Sequence, residues 1–466
     1  MELPFYSDVR RAGGEVFLVG GVVRDRLLKI PTKDADVLVR GVAIEALGEI
    51  LSRHGRVEQT GKSFAVFKFI CADGAALDVA LPRTEKSTGT GHRDFAVQAD
   101  PALPVETDLG RRDFTINAMA QEVLTAGGEL GRILDPFGGQ ADLEKRVLRV
   151  VFGRAFEEDP LRVLRGAQFA ARFGLTAEPG TLAKMKEAAP LLKSLSAERV
   201  IQEIGKLLAA QRPSRGFYLL REAGALEVLF PEIAAMSGVE QPEEYHVADV
   251  FDHTMLALDA AAKDEALRHP GDPEVMLAVL YHDVGKPACA GRHPSDGRIT
   301  FYGHQDVSRD RVRERLTHWK AGMIGADPEK VALLVARHMF DAKPDSTDRT
   351  LRRFLRGIGP ELVFKLLDVR IADRRAQRNP ENLDDVLGLR ARIEDELSRK
   401  PALTVKALAV SGRDLIARGY APGPALGAEL SRLLELVLDD PALNERERLL
   451  NLVAPPSATS PKGHPV

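Results

Sequence analysis

The sequence predicts an α+β protein in which a small α/β domain precedes a long all-helical remainder. Three observations predict it. Within residues 1–150, short apolar runs alternate with glycine and short helical stretches: 16–19 (VFLV), 37–39 (VLV), 65–70 (AVFKFI) and 77–81 (LDVAL). Runs of that length bounded by turn residues read as buried strands. From about residue 150 the strand signals stop. Apolar residues then recur at helical spacing, as in Leu161, Leu164, Phe169 and Phe173, and again in Val200, Ile204, Leu207 and Leu208. Finally, eight of the eleven histidines fall between His246 and His338, a clustering that sets a second chemical centre inside the helical part.

Composition narrows the class. The chain has 466 residues, 44% hydrophobic and 29% charged, which suits several domains with sizeable cores. Two cysteines, Cys71 and Cys289, exclude a disulfide framework, so a cytoplasmic location is expected. No stretch reads as a signal peptide or approaches the length of a membrane span. Net charge is −3, so any nucleic-acid binding must come from local basic patches. Nothing in the sequence sets the oligomeric state.

The first element is the strand at 16–19, ending at Gly20 and Gly21. Residues 22–28 read as a helix start, with Arg24 and Asp25 in its first turn. A Gly-Gly turn leading into a helix lets backbone N–H groups approach a phosphate. Asp34 and Asp36 follow at the head of the next strand, where residues two apart share a face. Either feature alone is what an ordinary turn or a solvated strand end would show. Together they suit a triphosphate, a divalent cation and phosphoryl transfer. Asp78 lies on a further strand and could add a third carboxylate, or stand as a half-buried edge residue. Residues 86–100, rich in glycine, threonine and charge, read as a mobile loop.

Residues 111–118 read RRDFTINA, two arginines beside an aspartate that can hold a triphosphate. Residues 158–162 read EDPLR. Asp159 with Pro160 is a good helix start. Asp159, Arg162 and Arg165 are also spaced three apart, as on one helix face. A carboxylate accepts from the exocyclic amine of cytosine or adenine while a guanidinium donates to the adjacent ring nitrogen, so such a pair can select C and A without a template.

In this order and spacing, GGVVRD with DAD, PRTE at residues 82–85, RRDFTINAMA, and EDPLRVLR followed by FAARFG resemble the class II tRNA nucleotidyltransferases, the CCA-adding enzymes, and the related bacterial poly(A) polymerases. The resemblance covers residues 16 to about 235. It implies a polymerase-β-like nucleotidyltransferase head (1–150) and a helical neck and body that grips tRNA (151–238). It also implies that Gly21 and Arg24 hold the triphosphate, that Asp34 and Asp36 are catalytic and bind Mg2+, and that Arg112, Asp159, Arg162 and Arg165 hold and read CTP or ATP. The loop from Lys86 would help the switch from C to A addition. One departure stands out: many relatives carry an arginine where this chain has Gln168.

Downstream, His253, the adjacent His282 and Asp283, and Asp373 all fall on expected helices. Imidazole with carboxylate suits a divalent transition metal that activates water. The set is similar to the HD phosphohydrolase family over residues of about 246–380. It implies that His253, His282, Asp283 and Asp373 ligate a metal such as Ni2+, Co2+ or Mn2+, with Lys286, His304 and His338 near the phosphate or a second metal. The expected domains are thus an HD domain at 239–400, a helical C-terminal segment at 401–454 and a disordered tail at 455–466. Arg349, Arg352, Arg353 and Arg356 form a basic helix face, read either as solvated charge or as an RNA contact. The combined expectation is CCA addition to tRNA with a phosphohydrolase activity. Poly(A) addition, CC-only or A-only addition, and an HD hydrolase using its head to bind RNA remain as rivals.

Overall fold

The computed structural model describes residues 2–32, 35–59, 66–71, 74–87, 95–242, 244 and 248–454. Asp34, Ala65, the middle of the expected mobile loop, His246 and the tail from Pro455 lie outside the described residues. The chain divides into two compact units, one holding residues 1–235 with 318–324, the other 236–317 with 325–466.

The first unit is built on a seven-stranded sheet. Its strands in chain order are β1 (Glu15–Val19), β2 (Ala35–Arg40), β3 (Arg56–Gln59), β4 (Val66–Ile70), β5 (Ala76–Ala80), β8 (Ala120–Val123) and β9 (Leu130–Leu134); β6 (Arg83–Ser87) and β7 (Phe95–Ala99) form a separate hairpin. The spatial order is β3-β4-β5-β2-β1-β8-β9, antiparallel except for β2 with β5. The unbroken apolar runs of β1 and β2 follow from burial on both faces. Val16, Leu18, Val37 and Val39 pack with Phe67, Phe69 and Val79 on one side. Phe17, Val19 and Leu38 pack with Val105, Leu109 and Ala118 on the other. The stretch expected to be a mobile loop holds β7, paired with β6 from Arg83↔Ala99 to Ser87↔Phe95.

Helix α1 (Gly21–Leu27) leaves β1 through Gly20 at φ +74, a conformation that favours glycine. Helix α2 (Leu161–Phe173) ends at Gly174 in the left-handed region and packs on α3 (Ala197–Leu208). Phe114, from RRDFTINA, sits edge-on to Phe169 of α2 at 5.9 Å and near Phe156 at 6.1 Å. That aromatic cluster fixes α2 against the motif.

The second unit is helical. Helices α4 (Val250–Lys263), α5 (Pro273–Tyr281), α6 (His304–His318), α7 (Pro328–Arg337), α8 (Asp348–Ile358), α9 (Val363–Arg375) and α10 (Pro424–Asp439) carry most of it. Every residue of α5 from Glu274 to Tyr281 is buried, and α5 packs against α4, α7 and α9. Among the described residues, no helix is long and apolar enough to cross a membrane.

Candidate active site and candidate metal centre

The first unit contains a cavity of about 560 Å³. Nine cationic side chains line it, Arg24, Arg83, Arg111, Arg112, Arg162, Arg165, Arg172, Arg199 and Lys206, against three carboxylates, Asp36, Asp113 and Asp159. Gly21 lines it too. Asp36 stands on the sheet face that Leu38 shares, with Asp78 at the same level of the neighbouring parallel strand, and both are exposed. The structure therefore sets Asp78 beside Asp36, although Asp78 is not part of the cavity lining.

The arginines are held in place by carboxylates. Buried Asp108 accepts from Arg111 Nη2 at 2.7 Å and Arg112 Nη2 at 3.2 Å. Burial works against its ionisation, but Arg112 and Arg111 outweigh it and keep its pKa below the usual carboxylate range. A side chain at Gly20 would strike Arg112 Nη1, so glycine there lets the guanidinium lie against the turn. Asp113 accepts from Arg165 Nε at 2.8 Å and from Asn117 Nδ2 at 3.0 Å. Buried Arg24 donates to Asn117 Oδ1 at 2.5 Å and to Asp25, and lies over the Phe173 ring at 4.4 Å. It is anchored on the cavity wall and is not a free side chain.

Asp159, Arg162 and Arg165 all reach this cavity, but not as a trio on one helix. Helix α2 begins at Leu161, after Asp159, whose Oδ1 accepts from the Leu161 N–H at 3.2 Å as a cap would. The Asp159 carboxylate also takes both its oxygens to Arg199 Nη2 at 3.0 Å. Arg162 donates to the backbone oxygens of Ala155 and Arg111. Arg199 lines the cavity, and its Nη1 is buried without a hydrogen-bond partner. Gln168 is buried and accepts from Arg172 Nη1 at 3.3 Å, so a guanidinium reaches the cavity one turn further on. Sequence reasoning missed Asp108, Arg172, Arg199 and Lys206. Only Asp108 carried a local signal, its spacing of three and four from Arg111 and Arg112.

The second unit brings His253, His282 and Asp373 into one group whose ligand atoms lie within 4.8 Å of one another, and Asp283, His304 and His338 into a second. All six are buried. His253 comes from α4, His282 and Asp283 from the end of α5, His304 from the start of α6, His338 from the end of α7 and Asp373 from α9. Carbonyls only accept, so the Nδ1 contacts of His282 to Val279 O (2.7 Å), His304 to Phe301 O (2.8 Å) and His338 to Val335 O (2.7 Å) put a proton on each Nδ1. In the neutral rings each Nε2 is then a bare lone pair. His304 Nε2 faces His338 Nε2 at 3.3 Å, and His282 Nε2 faces Asp283 Oδ2 at 3.1 Å. His282 Nε2 and Asp283 Oδ2 make no hydrogen bond of good geometry. Acceptors converging on acceptors require a cation or a proton between them. Backbone carbonyls that fix imidazole tautomers are the usual setting of metal-ligating histidine.

Burial opposes ionising Asp283, yet His282 and Lys286 hold its pKa well below the usual range. Burial, and then His282, push His338 down to about 3, and burial lowers His304. Burial would also lower His282, but Asp283 beside it outweighs this and raises it. Lys286 Nζ lies 2.7 Å from Asp283 Oδ2 and 2.7 Å from Gln241 Oε1. Gly285 matters here: a side chain on it would collide with His304 O, so glycine lets α6 start against the His-Asp pair.

Comparison with known proteins agrees with the head and body. Residues 16–149 match the family described as the poly A polymerase head domain, and 174–236 the one described as a probable RNA and SrmB-binding site of polymerase A. Among solved structures, the Bacillus stearothermophilus CCA-adding enzyme in complex with CTP is similar at a TM-score of 0.66, covering 97% of each chain; at 23% identity the likeness is one of fold. The Multifunctional CCA protein of Stenotrophomonas maltophilia is 37% identical over 433 residues, 90% of this chain and 97% of its own. That of Thioalkalivibrio sulfidiphilus is 37% identical over 430 residues, 89% of this chain and 96% of its own. With that identity running through both units, the chain belongs to the multifunctional CCA protein family.

Proposed function

We propose that the chain adds C, C and A to the 3' end of tRNA from CTP and ATP. The observation that carries this is the cavity with nine cations gathered around Asp36, in a member of a family named for CCA. Residues 1–150 are the nucleotidyltransferase head, 151–238 the RNA-binding neck and body, 239–400 an HD phosphohydrolase domain and 401–454 a C-terminal helical segment.

Each residue's part follows from its contacts. Arg111 and Arg112, held by Asp108, and the Gly20–Gly21 turn receive the triphosphate, and Arg24 supports that wall. Arg165, fixed by Asp113, and Arg162 orient the nucleotide, while Asp159 accepts from the exocyclic amine of C or A. Asp36, with Asp34, would hold Mg2+; carboxylate oxygens suit that ion, and Asp36 is exposed on the cavity lining. When bound there, magnesium stabilises charge on the attacking and leaving oxygens. The tRNA 3' hydroxyl attacks the α-phosphate and pyrophosphate leaves. The test is incorporation into a tRNA lacking its CCA, with CTP and ATP supplied separately and together. CTP alone should add two residues, and A should enter only after them. Asp36→Ala should abolish incorporation while tRNA binding persists. Repeated A addition without C would favour a poly(A) polymerase instead.

A second activity is favoured by the convergent lone pairs of the second unit. His253, His282, Asp283 and Asp373 would hold Ni2+, Co2+ or Mn2+, and His304 and His338 could hold a second ion with Asp283. A mixed nitrogen and oxygen donor set fits such ions better than magnesium. A metal of this kind supplies a hydroxide from bound water for phosphoester hydrolysis. Lys286, fixed by Gln241, sets the position of Asp283.

A further inference from the structure

Residues 318–324 follow α6 in the chain, yet by packing they belong to the first unit. Trp319, the chain's sole tryptophan, is buried and lies against the Phe230 ring at 5.4 Å, with His318 edge-on to it at 4.8 Å. A short 3-10 turn at Ala321–Ile324 packs on α3, with Ala321 buried. Lys320, at φ +57 in the left-handed region, pairs with Glu198 in the first turn of α3. Further along α3, a side chain on Gly205 would come within 2.7 Å of Ile324 Cγ2, so glycine there admits the isoleucine. The segment is thus a strap fastened to α3 near both of its ends.

Helix α3 also borders the cationic cavity. Arg199 and Lys206, two turns apart and so on one face, both line it. Arg199 Nη2 holds both oxygens of Asp159 at 3.0 Å, and buried Glu203 accepts from Lys206 Nζ at 2.7 Å. Glu198 and Gly205 each stand one residue earlier, about 100° round the helix. One face of α3 therefore borders the cavity while the adjoining face is held by the strap. Asp159 precedes α2 and Arg199 sits on α3, so their pairing depends on where α3 lies.

We propose that residues 319–324 are a positioning strap for base choice: by holding α3 they keep Arg199 where it orients Asp159. The proposal rests on the reading of Asp159 as the base-selecting carboxylate and adds that selection depends on a segment outside every motif of the head and body. Packing holds the strap, because Trp319 Nε1 is buried with no hydrogen-bond partner. Phenylalanine at that position keeps what the ring contributes. Ile324 branches at Cβ and is stiff at χ1, so its Cγ2 cannot swing clear of a new methyl group at 205. Alanine suits a helix better than glycine does, so Gly205→Ala disturbs the strap contact without weakening α3 itself.

The test uses the full chain and reads selection as a ratio: CTP against UTP on a tRNA lacking CCA, and ATP against GTP on a tRNA ending in CC. Each ratio is taken at one tRNA concentration, so a change in tRNA affinity alone leaves it unmoved. Gly205→Ala should lower both ratios about tenfold, the size of one base contact. Adding Ile324→Ala relieves the clash and should bring them back to within about twofold of wild type. Trp319→Ala should lower them about tenfold as well, with Trp319→Phe restoring them. The emission of the sole tryptophan reports whether the strap is seated. It should move to longer wavelength in Gly205→Ala and return in the double variant. Full selectivity in Gly205→Ala overturns the proposal, and so does relaxed selectivity with the emission unmoved, since Gly205 then acts by another route. Should Trp319→Ala fail to fold, the Gly205 and Ile324 variants decide alone. A wild-type chain that adds C and A without preferring them over U and G removes the base-selecting reading of Asp159, and the proposal with it. A wild type that selects, beside variants that select equally well, overturns the strap and leaves that reading standing.

Discussion

Asp159 shows what spacing along a chain can and cannot report. Three-residue spacing placed Asp159, Arg162 and Arg165 near one another, and all three reach one cavity. The groups that aim them come from elsewhere: Arg199 from α3 for Asp159, Asp113 for Arg165, and two backbone carbonyls for Arg162. An i,i+3 pattern reports neighbours on a helix, whereas a pairing forty residues apart exists only once α2 and α3 have packed. If Asp159 reads the base as proposed, Arg199 positions it. Arg199→Ala should relax selection of CTP and ATP against UTP and GTP by about 1–3 kcal/mol, the discrimination that one good base contact carries. Asp159→Ala should do the same, and the double variant should add little, because the two act as one unit. Misincorporation measured with each single nucleotide checks this. Full selectivity in Arg199→Ala alongside its loss in Asp159→Ala would dissociate the pair.

Elements were legible where burial leaves a pattern in the sequence. The core strands β1 and β2 announce themselves through apolar runs because both sheet faces are covered, and β4 and β5 through buried residues alternating with exposed Lys68 and Asp78. Strand β8 and the edge strand β9 mix polar and apolar residues, and β6 with β7 is a hairpin in a glycine- and charge-rich stretch, so pairing partners and not composition make them strands. The basic face of α8 had two readings, and its contacts are made within the protein. Arg349, Arg353 and Arg356 pair with Asp439 and Glu435 of α10. Buried Arg352 donates to Leu438 O at 2.6 Å and Asp439 O at 3.3 Å, capping the end of α10, and to Glu396 at 3.0 Å. Arg352→Ala would leave buried Glu396 with Arg399 alone, at 3.4 Å, and take the donor from two carbonyls at the end of α10, so it should cost about 3 kcal/mol. Arg353→Ala breaks only exposed pairs and should cost under about 1 kcal/mol. Urea unfolding followed by circular dichroism separates them; equal effects would mean that the face does not hold α10 in this way.

At the scale of the molecule, each chemical centre is built, among the described residues, within one compact unit. The cationic cavity draws there on residues 21–206, and both ligand groups on residues 253–373. The adjacency of His282 and Asp283 was visible in the sequence. That His304 and His338 turn their lone pairs on the same spot was not, because it depends on backbone carbonyls fixing each tautomer and on Gly285 admitting α6. Self-contained centres with different donor chemistry should answer to different metals. Among the described residues the cavity of the first unit is lined by Asp36 and by no imidazole, which favours Mg2+; the second unit offers imidazole nitrogens, which favour Ni2+, Co2+ or Mn2+. On the proposed reading, His282→Ala and Asp283→Ala should therefore remove phosphoester hydrolysis and leave CCA addition within about twofold of wild type, since substitutions that share no partners behave additively. One preparation, stripped with a chelator and divided, supplies the comparison. Magnesium alone should restore nucleotide addition and not hydrolysis, while nickel, cobalt or manganese should restore hydrolysis. Removing Asp283 leaves Lys286 without its carboxylate, so the melting temperature of each variant must be measured beside its activities. If magnesium alone restores both activities, or if either substitution abolishes CCA addition in a protein that still melts as wild type does, the two centres are not separate.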